Sequence, residues 1–226
     1  MASSVDICNE ALSHLGDSAT VSSIDPPEGS AQAEHCARFY PSCLATLLEM
    51  HPWAFATRRA PLAQVANPST TWAYAYSQPS GCINILAVLA ADAADDYSAP
   101  GSSAVQSYDS PYRLNANNGG AYTPQDFSPE TNDAGDDIIL SNQANAVLRF
   151  TVLMTDTAKF TPMFRETLAW MLASKLAGPV LKGDTGRKAA LQCMQTAVSW
   201  FGKATDSDAS SRKVTPRHQV GWINAR

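Results

Sequence analysis

The sequence predicts an α+β fold: a helical lobe built from both ends of the chain, with a small antiparallel β lobe inserted between them. Three observations predict it. Apolar residues recur at helical spacing near both termini, the period shortens at the centre, and Gly, Pro, Asn, Asp and Ser cluster around the central segments. At 226 residues the chain can hold one sizeable domain or two small lobes sharing a core.

A first helix is marked by Val5, Cys8, Leu12 and Leu15 on one face, with Ser3 or Ser4 as its cap and Gly16 at its end. Asp25-Pro26-Pro27 leads to a second helix from about Ser30, with Ala33, Cys36, Tyr40, Leu44 and Leu47 as its stripe. Pro41 removes one backbone donor inside it and predicts a kink. His51-Pro52 ends the run.

From Trp72 the period is two. Trp72, Tyr74 and Tyr76 alternate with Ala73 and Ala75, which predicts three aromatics on one strand face. Gln78-Pro79-Ser80-Gly81 reads as a turn and Cys82 to Leu89 as a continuous apolar strand. Residues 92–135 are rich in Asp, Ser, Asn, Gly and Pro and predict a long acidic loop. Ile138–Leu140 and Ala146–Leu153 then predict a hairpin turning at Ser141-Asn142-Gln143.

Helix returns at Thr161-Pro162, with Phe164, Leu168, Leu172 and Leu176 as its stripe and Gly178-Pro179 as its stop. Asp184 can cap a last helix striped by Leu191, Met194, Val198 and Phe201, and the short link predicts an antiparallel pair. The predicted organisation is a bundle lobe of about four helices at 1–60 and 155–206, a β lobe at 61–154, and a flexible basic tail at 207–226.

Charged residues make up 16% of the chain, against roughly 25% for an average globular domain, as suits an oligomer that hides part of its surface. The net charge of -5 is unevenly spread. Residues 1–91 carry seven acids against three bases, 92–137 nine against one, and 138–226 five against twelve. An acidic middle and a basic end suit pairing through complementary fields, and the overall sign argues against a general nucleic-acid binder. Five scattered cysteines predict free thiols in a reducing compartment rather than a disulfide framework. The segment MASSVDICNE lacks the basic start and apolar run of a signal peptide, and no stretch approaches the roughly 20 apolar residues of a membrane span.

No motif points to catalysis. The histidines lack metal spacing, and Cys36 and Cys43 lie two helical turns apart rather than as a close zinc-binding pair, so core cysteines are expected. Asp95-Asp96 and Asp136-Asp137 are neighbours that point to opposite faces of an extended chain and cannot flank one glycosidic bond. Pro79-Ser80-Gly81-Cys82 lacks the nucleophile elbow, and Gly183-Asp184-Thr185-Gly186-Arg187 lacks the lysine and full spacing of a phosphate loop. The Trp72/Tyr74/Tyr76 face reads as sheet packing. Arg212, Lys213, Arg217, Trp222 and Arg226 give the tail the charge and aromatic anchor of a segment that orders on a partner. Neither a metal nor a cofactor is expected.

Four segments then resemble one family in order and spacing: ICNEALSHLGD, AEHCARFYPSCLATLLEMHPWAFATRRAPLA, WAYAYSQPSGCINILAV and the run from ILSNQANAVLRF to LAGPVLKGD. Together they are similar to the tail tubular protein A-like head-to-tail adaptors of podoviruses. The hallmark positions are Ala11-Leu12, Leu15-Gly16, Trp53-x-Phe55-Ala56, Tyr76 with Pro79, and the helix from Phe164 to Pro179. The likeness spans most of residues 5–205 and departs from the family around 92–126 and after 207. It implies a non-enzymatic virion protein at the head–tail junction, made in the host cytoplasm. It further implies a ring, usually of twelve copies, joining the portal protein to the tail nozzle protein around a passage for double-stranded DNA. On that reading the acidic residues Asp92, Asp95, Asp96, Asp136 and Asp137 are candidates to line the channel, where they would repel phosphate. The tail residues Arg212, Lys213, Arg217, Trp222 and Arg226 are candidates to dock on the portal. The alternative is a virion-associated polysaccharide or peptidoglycan hydrolase, which needs two carboxylates facing each other in a cleft.

Overall fold

A computed structural model describes residues 3–18, 20–91 and 125–211. The fold is α+β, with four helices of eleven residues or more and two small antiparallel sheets among the described residues. The chain divides into two compact units, and β structure is confined to the second apart from one isolated bridge.

The first unit comprises the described residues up to Ala56 and from Leu153 onward. Helix α1 (Ser4–His14) starts at Ser3, whose hydroxyl accepts from the Asp6 amide while the Asp6 carboxylate accepts from the Ser3 amide, a reciprocal capping box. Helix α2 (Ala31–Glu49) is capped by Ser30 and continues through Pro41 as one element. The Asn9 side chain grips the backbone of Val21 in both directions, at 2.7 and 2.9 Å, and so holds the connection between the two helices.

Helix α3 (Pro162–Leu181) is the centre of this unit. It packs against α1, α2 and the last helix, α4 (Gly183–Ser210), and buries residues on nearly every side. Trp53 is fully buried beside Phe55, Phe164 and Phe201, and its indole N–H donates to the Leu47 carbonyl at 2.9 Å. The Trp53-x-Phe55-Ala56 signature is therefore a core plug that also satisfies a carbonyl in the last turn of α2.

Four features of the helical reading need correction. Helix α3 does not stop at Gly178-Pro179 but runs on to Leu181. A proline this close to a helix end forfeits only one hydrogen bond, which packing of the preceding turns offsets. The cap of α4 is Lys182 at φ 55°, not Asp184, which instead pairs with Arg187 in the first turn. The buried face of α4 is Gly186, Cys193, Ala197, Ala204 and Asp208, whereas Leu191 and Val198 of the predicted stripe are exposed. At about 100° per residue the two faces are rotated by roughly 90° from one another. Small residues won the seam because α3 approaches closely: a Cβ on Gly186 would lie 2.7 Å from the Ala177 carbonyl oxygen. Residues 207–210, assigned by sequence to the flexible tail, are the last turn of this helix.

The second unit comprises the described residues from Thr57 to Val152. One sheet is ordered β1–β7–β4, formed by β1 (Thr57–Pro61), β7 (Val147–Val152) and β4 (Cys82–Leu89), the last as predicted. The other is ordered β2–β3–β6–β5, formed by β2 (Gln64–Val65), β3 (Tyr74–Ser77), β6 (Asp137–Ser141) and β5 (Phe127–Thr131). All pairings are antiparallel.

The predicted hairpin of 138–140 with 146–153 does not form. β6 and β7 belong to different sheets, and the link between them passes through Asn145 at φ 51°. β6 takes its hairpin partner from 127–131, a stretch the sequence assigned to the loop, with Tyr74–Ser77 on its other edge. β6 is buried on both faces, so its apolar run carries no alternation that would reveal its partner. The aromatic face is also altered. Ala75 and Tyr76 are both buried, and Trp72 lies before the strand, packing with Val65 on the Ala75 side. Tyr76 fixes its own side by donating its hydroxyl to the Gln143 carbonyl at 2.5 Å.

Candidate functional site

Of the acidic residues singled out by sequence, Asp136 and Asp137 fall at the exposed β5–β6 turn and the first residue of β6. The turn is shaped by Asn132, whose side-chain oxygen accepts from the amides of Ala134 and Asp136 at 2.9 and 2.8 Å. The Asp137 carboxylate accepts from the Thr131 hydroxyl at 3.2 Å and that of Asp136 from the Asn132 amide at 3.3 Å. Together with Gln78, Ser80, Gly81 and Cys82 they border a cleft of about 580 Å³. Asp92, Asp95 and Asp96 lie outside the described residues, as do Arg212, Lys213, Arg217, Trp222 and Arg226.

The helical unit offers a different kind of surface. Leu191 and Val198, two turns apart on α4, are 67% and 60% exposed. They form an apolar strip on the side of α4 turned away from its small-residue seam. Between α1, α3 and α4 runs a groove of about 640 Å³, bordered by His14, Trp170, Leu181, Gln192, Cys193 and Thr196 among others.

Two constellations escaped the sequence reading. Asp208 is 6% exposed, accepts from the Ala54 amide at 3.0 Å, and lies 3.3 Å from His51 Nε2. It ties the end of α4 to the turn that carries Trp53. The second is Glu10, His14 and Glu166, where α1 meets α3; their ligand-type atoms all lie within 4.8 Å of one another. The Trp170 indole N–H donates to Glu166 at 2.9 Å, and its ring lies flat on His14, 3.7 Å between centroids and 6° between planes. Burial, then a hydrogen bond to Glu166 and the charge of that carboxylate, raise the Glu10 carboxyl above its ordinary range, while Arg165 pulls the other way. Burial lowers the His14 imidazole, with Glu166 opposing. The only signal available in sequence was Glu10 and His14 one helical turn apart; their partner lies on another helix.

The ligand oxygens of Glu10 and Glu166 lie within 4.8 Å of one another, closer than either glycosidase geometry, which separates its carboxylates by roughly 5 Å or more. The five cysteines are free thiols, with Cys8, Cys36, Cys43 and Cys193 buried and Cys82 half-buried. Cys8, hydrogen-bonded to Cys36 and buried, has its thiol pushed up, and burial raises Cys43 to about 11. Among the described residues no helix is long and apolar enough to cross a membrane. Neither a protein-family model nor a curated protein sequence matches this chain.

Proposed function

We propose that the chain is a non-enzymatic assembly protein, a head-to-tail adaptor subunit that forms a ring between a portal and a tail nozzle. The observation that carries the reading is the exposed apolar strip of Leu191 and Val198 on α4. The helix is already anchored along another face, so these two side chains add nothing to the subunit's own core. Large apolar side chains left in water on a rigid helix face suit contact with another protein, and a closed ring needs such a patch to meet a different face of the next copy. The low charge content and the family resemblance of residues 5–205 support the same reading.

On this reading Asp136 and Asp137 face the DNA passage together with Asp92, Asp95 and Asp96, and the segment 212–226 docks on the portal. Electron microscopy of the purified protein, alone and with portal rings, is the test. Rings or portal-bound crowns are expected, and Leu191→Asp with Val198→Asp should abolish them while leaving the circular dichroism spectrum unchanged. Assembly unaffected by the double variant, or a monomer that ignores portals, would refute the proposal.

A further inference from the structure

We propose that Glu10, His14 and Glu166 form a binding site for a zinc ion at the α1–α3 junction. This inference stands independently of the adaptor reading.

The donor set comes first. One imidazole nitrogen and two carboxylates are the ligand types zinc accepts at roughly 2.0–2.2 Å, in three-ligand sites that keep a further position open. Calcium asks for six to eight oxygens, which three side chains including a histidine do not supply. Tetrahedral ligands at that radius sit about 3.4 Å apart. His14 Nε2 and Glu166 Oε1 are 3.9 Å apart, so that pair closes on an ion with a shift of about half an ångström, and all three ligand atoms lie within 4.8 Å of one another.

The second argument is an unmet bonding requirement. His14 Nε2 is shielded from solvent and has no protein hydrogen-bond partner, although it is the ring atom turned toward the carboxylates. An imidazole nitrogen in that position without a partner loses its hydration for nothing in return. Glu10 and Glu166 meanwhile bring two carboxyls to the same point, with their ligand oxygens and the imidazole nitrogen all within 4.8 Å of one another. A divalent cation offsets the charge of both carboxylates and gives the nitrogen its partner.

The third argument is orientation. Trp170, one turn after Glu166 on α3, holds both of the ligands it touches. Its ring fixes the plane of His14 and its N–H fixes one Glu166 oxygen. Such outer partners set ligand direction in metal sites. Trp170 and His14 also border the groove between α1, α3 and α4.

The test is titration of the full chain with zinc against a chromophoric chelator, and with cobalt(II) as a visible-range probe. One ion per chain is expected. The cobalt complex should show d–d bands without the thiolate charge-transfer band that ligation by Cys8, Cys36, Cys43, Cys82 or Cys193 would give. Glu166→Gln and His14→Gln, both close in size to the residues they replace, should each weaken binding by at least about tenfold. Cys193→Ser should bind as the unaltered chain does. Absence of one-to-one binding at millimolar zinc, unchanged affinity in both Gln variants, or a thiolate band would overturn the proposal. The cobalt spectrum decides ligand type in the unaltered chain, whatever the variants do to folding.

Discussion

Glycine 186 offers a sharp test of how the helical unit is packed, because two known effects oppose each other there. Replacing a helical glycine by alanine ordinarily stabilises by about 1 kcal/mol, since alanine loses less backbone freedom on folding. At Gly186 the added methyl carbon would stand 2.7 Å from the Ala177 carbonyl oxygen and 3.4 Å from Gly178 Cα. Both are backbone atoms of α3 and cannot swing aside, so the helices must part by several tenths of an ångström along a seam of small residues. Over-packing of this kind costs typically 1–3 kcal/mol, and a gap of half an ångström or more forfeits a quarter or more of each dispersion contact. The net expectation for Gly186→Ala is destabilisation of up to about 2 kcal/mol. Gly202, on the same helix, is the control. It is exposed, with nothing within 4 Å of its would-be Cβ, so Gly202→Ala should stabilise by up to about 1 kcal/mol. For a chain of this size each kcal/mol moves the melting temperature by roughly 2–4 °C, readily resolved by circular dichroism at the helical minimum. If both variants stabilise alike, α3 and α4 do not touch at Gly186 and the packing described above is wrong.

Other expectations rest on separate contacts. Asp208→Ala should cost about 1–3 kcal/mol, because the Ala54 amide loses its partner, while Asp206→Ala on the exposed side should change little; equal melting temperatures would refute the anchor. Lys182→Gly should raise stability by about 1 kcal/mol by relieving a φ of 55° with ψ near 165°, a region nearly reserved for glycine, and a lower melting temperature would contradict that geometry. Glu28 accepts from the Ser22 hydroxyl and amide and from the Ser30 hydroxyl, which hold its carboxyl below the ordinary 4.5. A depressed carboxyl stabilises the fold above its unfolded value and loses that contribution as pH falls through the folded one. Glu28→Gln should therefore be less stable than the unaltered chain at pH 7, with the gap closing below about pH 4; a gap independent of pH would show that charge is not the cause.

The hydroxyl-capped start of α1 at Ser3 and the capped, proline-started α3 at Thr161-Pro162 were legible because the signals are local: each hydroxyl accepts from an amide within one turn of itself. The α+β class and the strand Cys82–Leu89 were legible for the same reason, since period and propensity are properties of a short window. The seam of α4 was not. Leu191 and Val198 are the larger apolar residues, and a stripe drawn by hydrophobicity alone follows them; the identity of the buried face depended on how near α3 comes. The pairing of β6 with 127–131 and Tyr74–Ser77 was equally hidden, because a strand buried on both faces carries no phase. Glu10, His14 and Glu166, like Asp208 with Ala54, are joined across long stretches of chain. Local free energies set by neighbouring residues wrote the elements into the sequence, whereas which faces meet, and which polar groups are thereby stripped of water and brought within reach of one another, was decided only by tertiary packing.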